Sequence, residues 1–533
     1  MIGIPHGRVL GGSSALNAQA FIAPSEVGID MWETLGNPGW NWKTISAYYK
    51  KSYSVSIPTD DIVSFLGLEY LNGSKDTGAN GPIQTSYTAD TNDVLGKAWI
   101  ETFKNMNYNL TSDPFSGSAT GGFANPTTVN GTTKERSYAA SAYYQPVMDR
   151  SNLDLITNSH VEKIIFETVN GSKMATGVQF TQGGTQKVVV LSANKEVIVA
   201  AGAFNSPKLL ELSGIGGATL LNSMKIPVVI DNPNVGENFQ DHPMSGISFE
   251  VHDGVTTLDP LSRQEPEALQ AAMIAYQTEK RGPFSGGAVN SFAFMPIVDF
   301  QSPEGKPEME RVLDSYAPTS PSAEYDFLRS IYSSSDKSSA SYFMYAAHGN
   351  FGADSSAAKN VTQTTETGNF ITVVCELSYP LSRGSVHIAS AAAGDKPVID
   401  AGYYKKDLDL EMHARHVRFI EKIISTEPLA SFLKTGGKRS PSFATIGSDL
   451  EAAKGYIQRT MISGWHPCGT CAMLPKDKGG VVNERLVVHG TKNLRVVDAS
   501  IMPLICRGNT QSTVYAVAER AADLIKEDHK LMQ

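Results

Sequence analysis

The sequence predicts an α/β protein, α+β over its full length, with one α/β domain assembled from distant segments around an inserted second domain. Three observations carry that expectation. A dense small-residue loop stands near the start, Gly7-Arg8-Val9-Leu10-Gly11-Gly12-Ser13-Ser14-Ala15-Leu16-Asn17. The stretch from Leu153 to about Pro243 holds strand-like runs at 153–156, 187–191 and 196–200 and one short helix. Far downstream, Leu494-Arg495-Val496-Val497 reads as a buried strand that ends at Asp498 and leads into a helix. A domain that draws strands from both ends of a chain needs another domain inserted between them.

Local signals justify the elements in turn. The short helix after residue 200 has Ser206 to cap its start, Pro207 at the first helical position and Gly214 just past its end. Residues 317–341 read as loop, with Ser333-Ser334-Ser335 and Ser338-Ser339 around Asp336-Lys337. Val373, Cys375 and Leu377, then Val386 and Ile388, alternate as half-buried strands do, with Pro380 and Arg383-Gly384 supplying a turn between them. Residues 404–424 read as an amphipathic helix. Val514, Val517, Ala518, Ala521, Leu524 and Ile525 recur at helical spacing. No internal repeat is visible.

Composition bounds the function. At 533 residues and 57.3 kDa, the chain makes about three or four domain-sized units. It is 41% hydrophobic and 19% charged, which excludes disorder as the main state. A duplex nucleic-acid binder is expected to show a basic face, and in this chain of net charge -9 none is visible. No apolar run approaches the ~18 residues of a membrane span. The opening residues 1–8 have no apolar core, so they read as neither a signal peptide nor the start of a domain. Cys375, Cys468, Cys471 and Cys506 are too few and too uneven for a disulfide framework. The C-x-x-C of Cys468 and Cys471 lacks a second ligand pair, so no metal is expected. Sequons at Asn72, Asn109, Asn130, Asn170 and Asn360 permit secretion and occur at about the chance rate.

Three constellations carry chemistry. The loop Gly11-Gly12-Ser13-Ser14 with Asn17 exposes backbone N–H groups that can line an anion or a planar ring, although such loops are more often plain turns. The G-x-G-x-x-G dinucleotide fingerprint is absent: at Gly214-Ile215-Gly216, Thr219 takes the place of the third glycine. In Trp465-His466-Pro467-Cys468-Gly469-Thr470, Pro467 holds His466 in an extended turn. Histidine moves protons at neutral pH, but a satisfied structural histidine is the bland alternative among the eleven present. Asp498 stands at the carboxyl end of a strand, where open α/β sheets bind ligands. Asn509, after Gly508, either caps the C-terminal helix or donates to a ligand, with nothing to separate the two.

These stretches together resemble the glucose-methanol-choline (GMC) flavin oxidoreductases. The match runs from Gly7 through Asn17, Phe21 and Pro24, then Gly202-Ala203-Phe204-Asn205-Ser206-Pro207 through Ser213-Gly214-Ile215-Gly216. It continues through Val235-Gly236-Glu237-Asn238-Phe239-Gln240-Asp241-His242-Pro243, Ser382-Arg383-Gly384 and the two C-terminal motifs. The resemblance implies FAD-dependent oxidation of an alcohol, with His466 as the catalytic base and Asn509 at the second active-site position. It places Val9, Gly11, Gly12, Ser13, Asn17, Ala18, Val161, Trp465, Asp498, Ala499 and Thr510 at the cofactor, and names no metal.

It also implies a domain plan. Residues 1–245 form the N-terminal region, a truncated FAD-binding domain with part of the substrate domain at about 50–150. Residues 246–485 are mainly the substrate-binding domain, built on an antiparallel sheet with helices, and 486–533 return to the FAD-binding domain. Leu16 stands where some relatives tether FAD through a histidine, so the flavin is expected to be non-covalent. The implied partners are a small alcohol and an electron acceptor, oxygen or another. The family's amino-terminal Rossmann unit is missing from the match. A non-redox lyase or cyclase on the same fold and an inactive truncated remnant are the rival readings, and the full-length parent leans extracellular.

Overall fold

The computed structural model describes residues 2–88, 93–183, 187–352, 357–444, 446–447 and 449–531. In the strand Asn369–Leu377 every residue after Asn369 is buried, the pattern of a strand covered on both faces. It lies inside an antiparallel sheet, seven-stranded among the described residues. The sheet runs in the order Arg439–Ser440, Pro243–Val251, Asn369–Leu377, Ala340–Tyr345, Ser291–Met295 and Gly121–Ala124, with Ile462–Ser463 pairing onto Pro243–Val251. The side-chain period of two separates the faces. Ile247, Phe249, Tyr342, Met344, Ile371, Val373 and Cys375 enter one core. The helices Val94–Asn105, Asp407–Ile424 and Leu450–Thr460 bring residues of their own to that core. Phe123, Phe292 and Phe294 face the other way and pack with Ala20 and Ile22 beside the opening loop. One step from Cys375, Glu376 therefore points away from the helices.

The split α/β part forms as expected. Val197–Val199 pairs in parallel with Leu494–Val496, and the helix Gln511–Asp528 packs on the helix Trp42–Ser52, with Tyr49 donating to Thr513 at 2.7 Å. Beside the pair lies an antiparallel sheet of Ser159–Val169, Ser172–Gln182 and Lys187–Ser192. Asn170 and Gly171 make its hairpin turn with φ of 50° and 77°, the positive values that a two-residue I′ turn requires. This sheet leaves Val161, Val188 and Val190 exposed, as is Ile198 on the parallel pair. Among the described residues no helix is long and apolar enough to cross a membrane.

Four local expectations need correction. Residues 153–156 form no strand and lie exposed; the hairpin starts at Ser159. The helix spans Gly202–Leu212 with Pro207 inside it, so Ser206 is no N-cap. Proline lacks the N–H that would bond the Ala203 carbonyl four residues back, and Thr470 Oγ1 donates to that carbonyl at 2.6 Å instead. Within 317–341, Ala323–Tyr332 is a helix capped by Ser322 and burying Tyr325, Leu328, Ile331 and Tyr332; its apolar spacing outweighs the serines around it. Val386 belongs to the strand Ser385–His387, which pairs with Val398–Asp400 and not with Asn369–Leu377.

Candidate active site

Two segments that cross the end of the large sheet meet at a buried pair of histidines. Asp241 sits where the chain enters the strand Pro243–Val251. Its carboxylate accepts from the backbone N–H of His466 at 2.8 Å and of His242 at 2.9 Å, and from the Tyr403 hydroxyl at 2.5 Å and Ser463. Burial pushes this carboxyl up from its usual range. Trp465 adopts a φ of 61°, rare for a bulky residue, and its N–H is held by Ser463 Oγ at 2.8 Å. That turn delivers His466, which is 7% exposed, onto the sheet.

The His466 ring is gripped on both nitrogens. Asn509 Nδ2 donates to Nε2 at 2.9 Å. Nδ1 lies 2.9 Å from His242 Nδ1 and 3.4 Å from Glu376 Oε2. Burial opposes charge on His466, but the Glu376 carboxylate, and then Asp241, lift its pKa above the ordinary value. His242 goes the other way, lowered by burial to about 4. His242, Glu376 and His466 each offer one donor atom within 4.8 Å of the others, a spacing their mutual hydrogen bonding accounts for.

Asn509 makes no capping bond. The C-terminal helix starts after Thr510, which makes no side-chain capping hydrogen bond, so no side chain of that residue answers the helix's first N–H groups. In that loop Gly11 and Gly12 take φ of 91° and 56°, and open space adjoins the Cα of Gly12. Arg136 pins the loop, donating to Asn17 Oδ1 at 2.7 Å and to the Asn17 carbonyl at 2.9 Å. Asn17 donates in turn to Gln511 Oε1, and the buried Gln511 Nε2 has no hydrogen-bond partner among the described residues.

Of the residues singled out in the sequence, His466 and Asn509 touch, and Trp465 adjoins them. Gly11, Gly12, Ser13 and Asn17 form one loop, tied by Asn17 to the first residue of the helix that follows Thr510. Val9, Ser13 and Ala18 are exposed along it. Val161 lies apart, on the exposed face of the three-stranded sheet. The Asp498 carboxylate is fully engaged by Ser206 Oγ at 2.5 Å, Gly202 N at 2.9 Å and Ser500 N at 2.8 Å. It therefore ties the Gly202 helix to its strand, and Ala499 leads the turn that follows. All four cysteines are buried free thiols. Asp241, His242, Glu376, Arg136 and Gln511 escaped a reading for catalytic patterns. Asp241, His242 and Gln511 lie inside motifs that carry the family resemblance; Glu376 and Arg136 do not.

Comparison with known proteins matches the GMC oxidoreductase family, its N-terminal part over residues 1–244 and its C-terminal part over 380–518. The chain belongs to this family. A GMC oxidoreductase family protein, Mala s 12 of Malassezia sympodialis, is 33% identical over 98% of this GMC oxidoreductase and 79% of its own length. An FAD-dependent oxidoreductase from Chaetomium thermophilum superposes with a TM-score of 0.84 at 26% identity, covering 99% of this chain and 87% of that one. A fungal aryl-alcohol oxidase does so with a TM-score of 0.80 at 26% identity, covering 98% and 86%. As a GMC oxidoreductase the protein is FAD-dependent and passes electrons from a small substrate to an acceptor. The orphaned Gln511 Nε2, the open space at Gly12 and the uncapped helix start fit one polar, planar group lying along the loop.

Proposed function

We propose that this protein oxidises an alcohol CH–OH group to a carbonyl, with His466 as the base and Asn509 as a hydrogen-bond donor to the same oxygen. The observation that carries the reading is the contact of His466 Nε2 with Asn509 Nδ2 at 2.9 Å. The amide N–H answers the imidazole lone pair directly, so a hydroxyl oxygen that enters between them can give its proton to His466 Nε2 and accept from Asn509 Nδ2. Asp241 and the Trp465 turn fix the ring, and burial excludes water, which strengthens both contacts. Trp465 gives the site an aromatic wall, which favours an aryl alcohol.

FAD, when bound, supplies the two-electron sink for the carbinol hydride. Gly11, Gly12, Ser13, Asn17, Ala18, Thr510 and Ala499 would hold it, with Val161 as a more distant candidate contact. The N–H groups at Thr510 favour negative charge on it. Leu16 carries no nucleophile, so attachment by that route is excluded and the flavin is read as non-covalent. The segments 1–245, apart from about 50–150, and 486–533 supply the cofactor's side of the site, and 246–485 with about 50–150 mainly the substrate's.

His466→Ala in the FAD-loaded protein tests this reading. Turnover of a panel headed by aryl alcohols should fall on the order of 10²–10⁴-fold, with the flavin spectrum retained. Unchanged oxidation would overturn the reading.

A further inference from the structure

We infer that Glu376 is a positioning residue of this site: with His242 it holds a proton on His466 Nδ1, keeps the Nε2 lone pair turned to the substrate, and neutralises the imidazolium once the substrate proton arrives. The inference rests on the proposed role of His466 and deepens it.

The proton positions follow from the partners. His242 Nε2 faces the Ser378 carbonyl at 3.1 Å. A carbonyl only accepts, so that nitrogen carries the proton of a neutral ring and His242 Nδ1 is left with its lone pair. Asn509 Nδ2 donates to His466 Nε2, so the proton of neutral His466 stands on Nδ1. There it faces two acceptors, His242 Nδ1 at 2.9 Å and Glu376 Oε2 at 3.4 Å. Glu376 Oε1 lies 3.3 Å from His242 Nδ1.

Glu376 is placed for this task and for no other visible one. It is 2% exposed, and its ion-pair partners among the described residues are the two histidines. A carboxylate buried this deeply is costly unless charge or hydrogen bonds answer it. Strand alternation turns it out of the helix-covered core, opposite Met244 and Ser341 in the sheet. The chain that carries His466 reaches it through Gly464, where a Cβ would lie 2.9 Å from both Glu376 Oε2 and the His242 carbonyl oxygen. Any other residue there would push the turn away.

The surrounding titratable groups are few. Asp241 faces the backbone of both histidines and carries the Tyr403 hydroxyl on its far side. Behind the strand, His413 Nε2 donates to the Cys375 carbonyl at 3.3 Å and its Nδ1 faces the Tyr404 hydroxyl at 2.7 Å; burial lowers its pKa to about 4, so it is neutral. Burial would raise Glu376, but its contacts with the two histidines hold its carboxyl below the usual range; with His242 neutral, the charge that answers the carboxylate is that of His466.

The test is the pH dependence of kcat/KM for alcohol oxidation by the FAD-loaded protein and its Glu376→Gln variant. The wild type should gain activity as pH rises through the raised pKa of His466. In Glu376→Gln that limb should move to lower pH by about one unit or more, with a plateau lowered about tenfold or more and an unchanged flavin spectrum. A lowered rate with an unmoved limb would mean a merely structural role and would overturn the inference. If Glu376→Gln fails to accumulate as a folded flavoprotein, Glu376→Asp decides: it withdraws the charge and should move the limb less, in the same direction. An unmoved limb there also overturns it. Failure of the underlying reading is distinct, because His466→Ala would then keep its activity whatever Glu376 does.

Discussion

At the scale of single residues, the pair His466 and Asn509 does what neither motif predicts alone. Asn509 offers its amide to the same nitrogen that would take a substrate proton, so removing the amide should weaken stabilisation of the developing alkoxide. Asn509→Ala is expected to lower kcat by about 10²–10³-fold while leaving the protein folded, as read by steady-state kinetics and circular dichroism. Local pattern alone did not single out either residue, since His466 is one of eleven histidines and Asn509 read equally well as a helix cap; the family resemblance of the motifs around them pointed to both. Glu376 was legible by neither route, because a carboxylate in a run of apolar strand residues carries no spacing signal. Its meaning comes from the partner that the fold brings to it, ninety positions down the chain by residue number, at His466.

At the scale of elements, the site depends on joints that tie one segment to another. Thr470 Oγ1 satisfies the carbonyl that Pro207 orphans in the helix Gly202–Leu212. Thr470→Val should therefore leave a buried acceptor unpaired and cost about 1–3 kcal/mol, seen as a lower denaturant midpoint at unchanged slope. A second joint is pH-sensitive. His387 bonds Glu211 at 2.7 Å and Glu237 at 3.1 Å, and the hydrogen bond to Glu211, outweighing burial, raises its pKa. A raised folded pKa gives stability that is complete below the unfolded value of about 6.5 and is lost as pH rises through the folded value. The stability gap between wild type and His387→Phe should therefore narrow from pH 6 to pH 9 in parallel denaturation curves. An equal gap at both would remove the charge argument. Helices with clean apolar spacing, such as Asp407–Ile424 and Gln511–Asp528, were legible at this scale. The helix start at Gly202 was not, since its anchor is the Asp498 carboxylate from the far end of the chain.

At the scale of the whole molecule, the split α/β domain and the insertion were legible because strands at both ends of the chain needed each other. The seven-stranded sheet was only partly so, because strands buried on both faces lose the alternation that marks half-buried ones. The opening loop leaves Val9, Leu10 and Leu16 exposed, and the three-stranded sheet leaves Val161, Val188 and Val190 exposed. A ligand that binds only the folded state stabilises it by mass action, about 2.7 kcal/mol at a hundredfold excess over Kd. FAD should accordingly raise the melting temperature, and Asn17→Ala, which breaks the link from Arg136 to Gln511, should reduce that rise.

The most direct test of the account is anaerobic mixing of the FAD-loaded protein with an aryl alcohol while the visible flavin band is followed. The wild type should bleach as the carbonyl product appears in equal amount, and His466→Ala should hold its colour over the same interval. Bleaching of both at one rate, or of neither across the alcohol panel, would contradict the claim that His466 is the base of an alcohol oxidation.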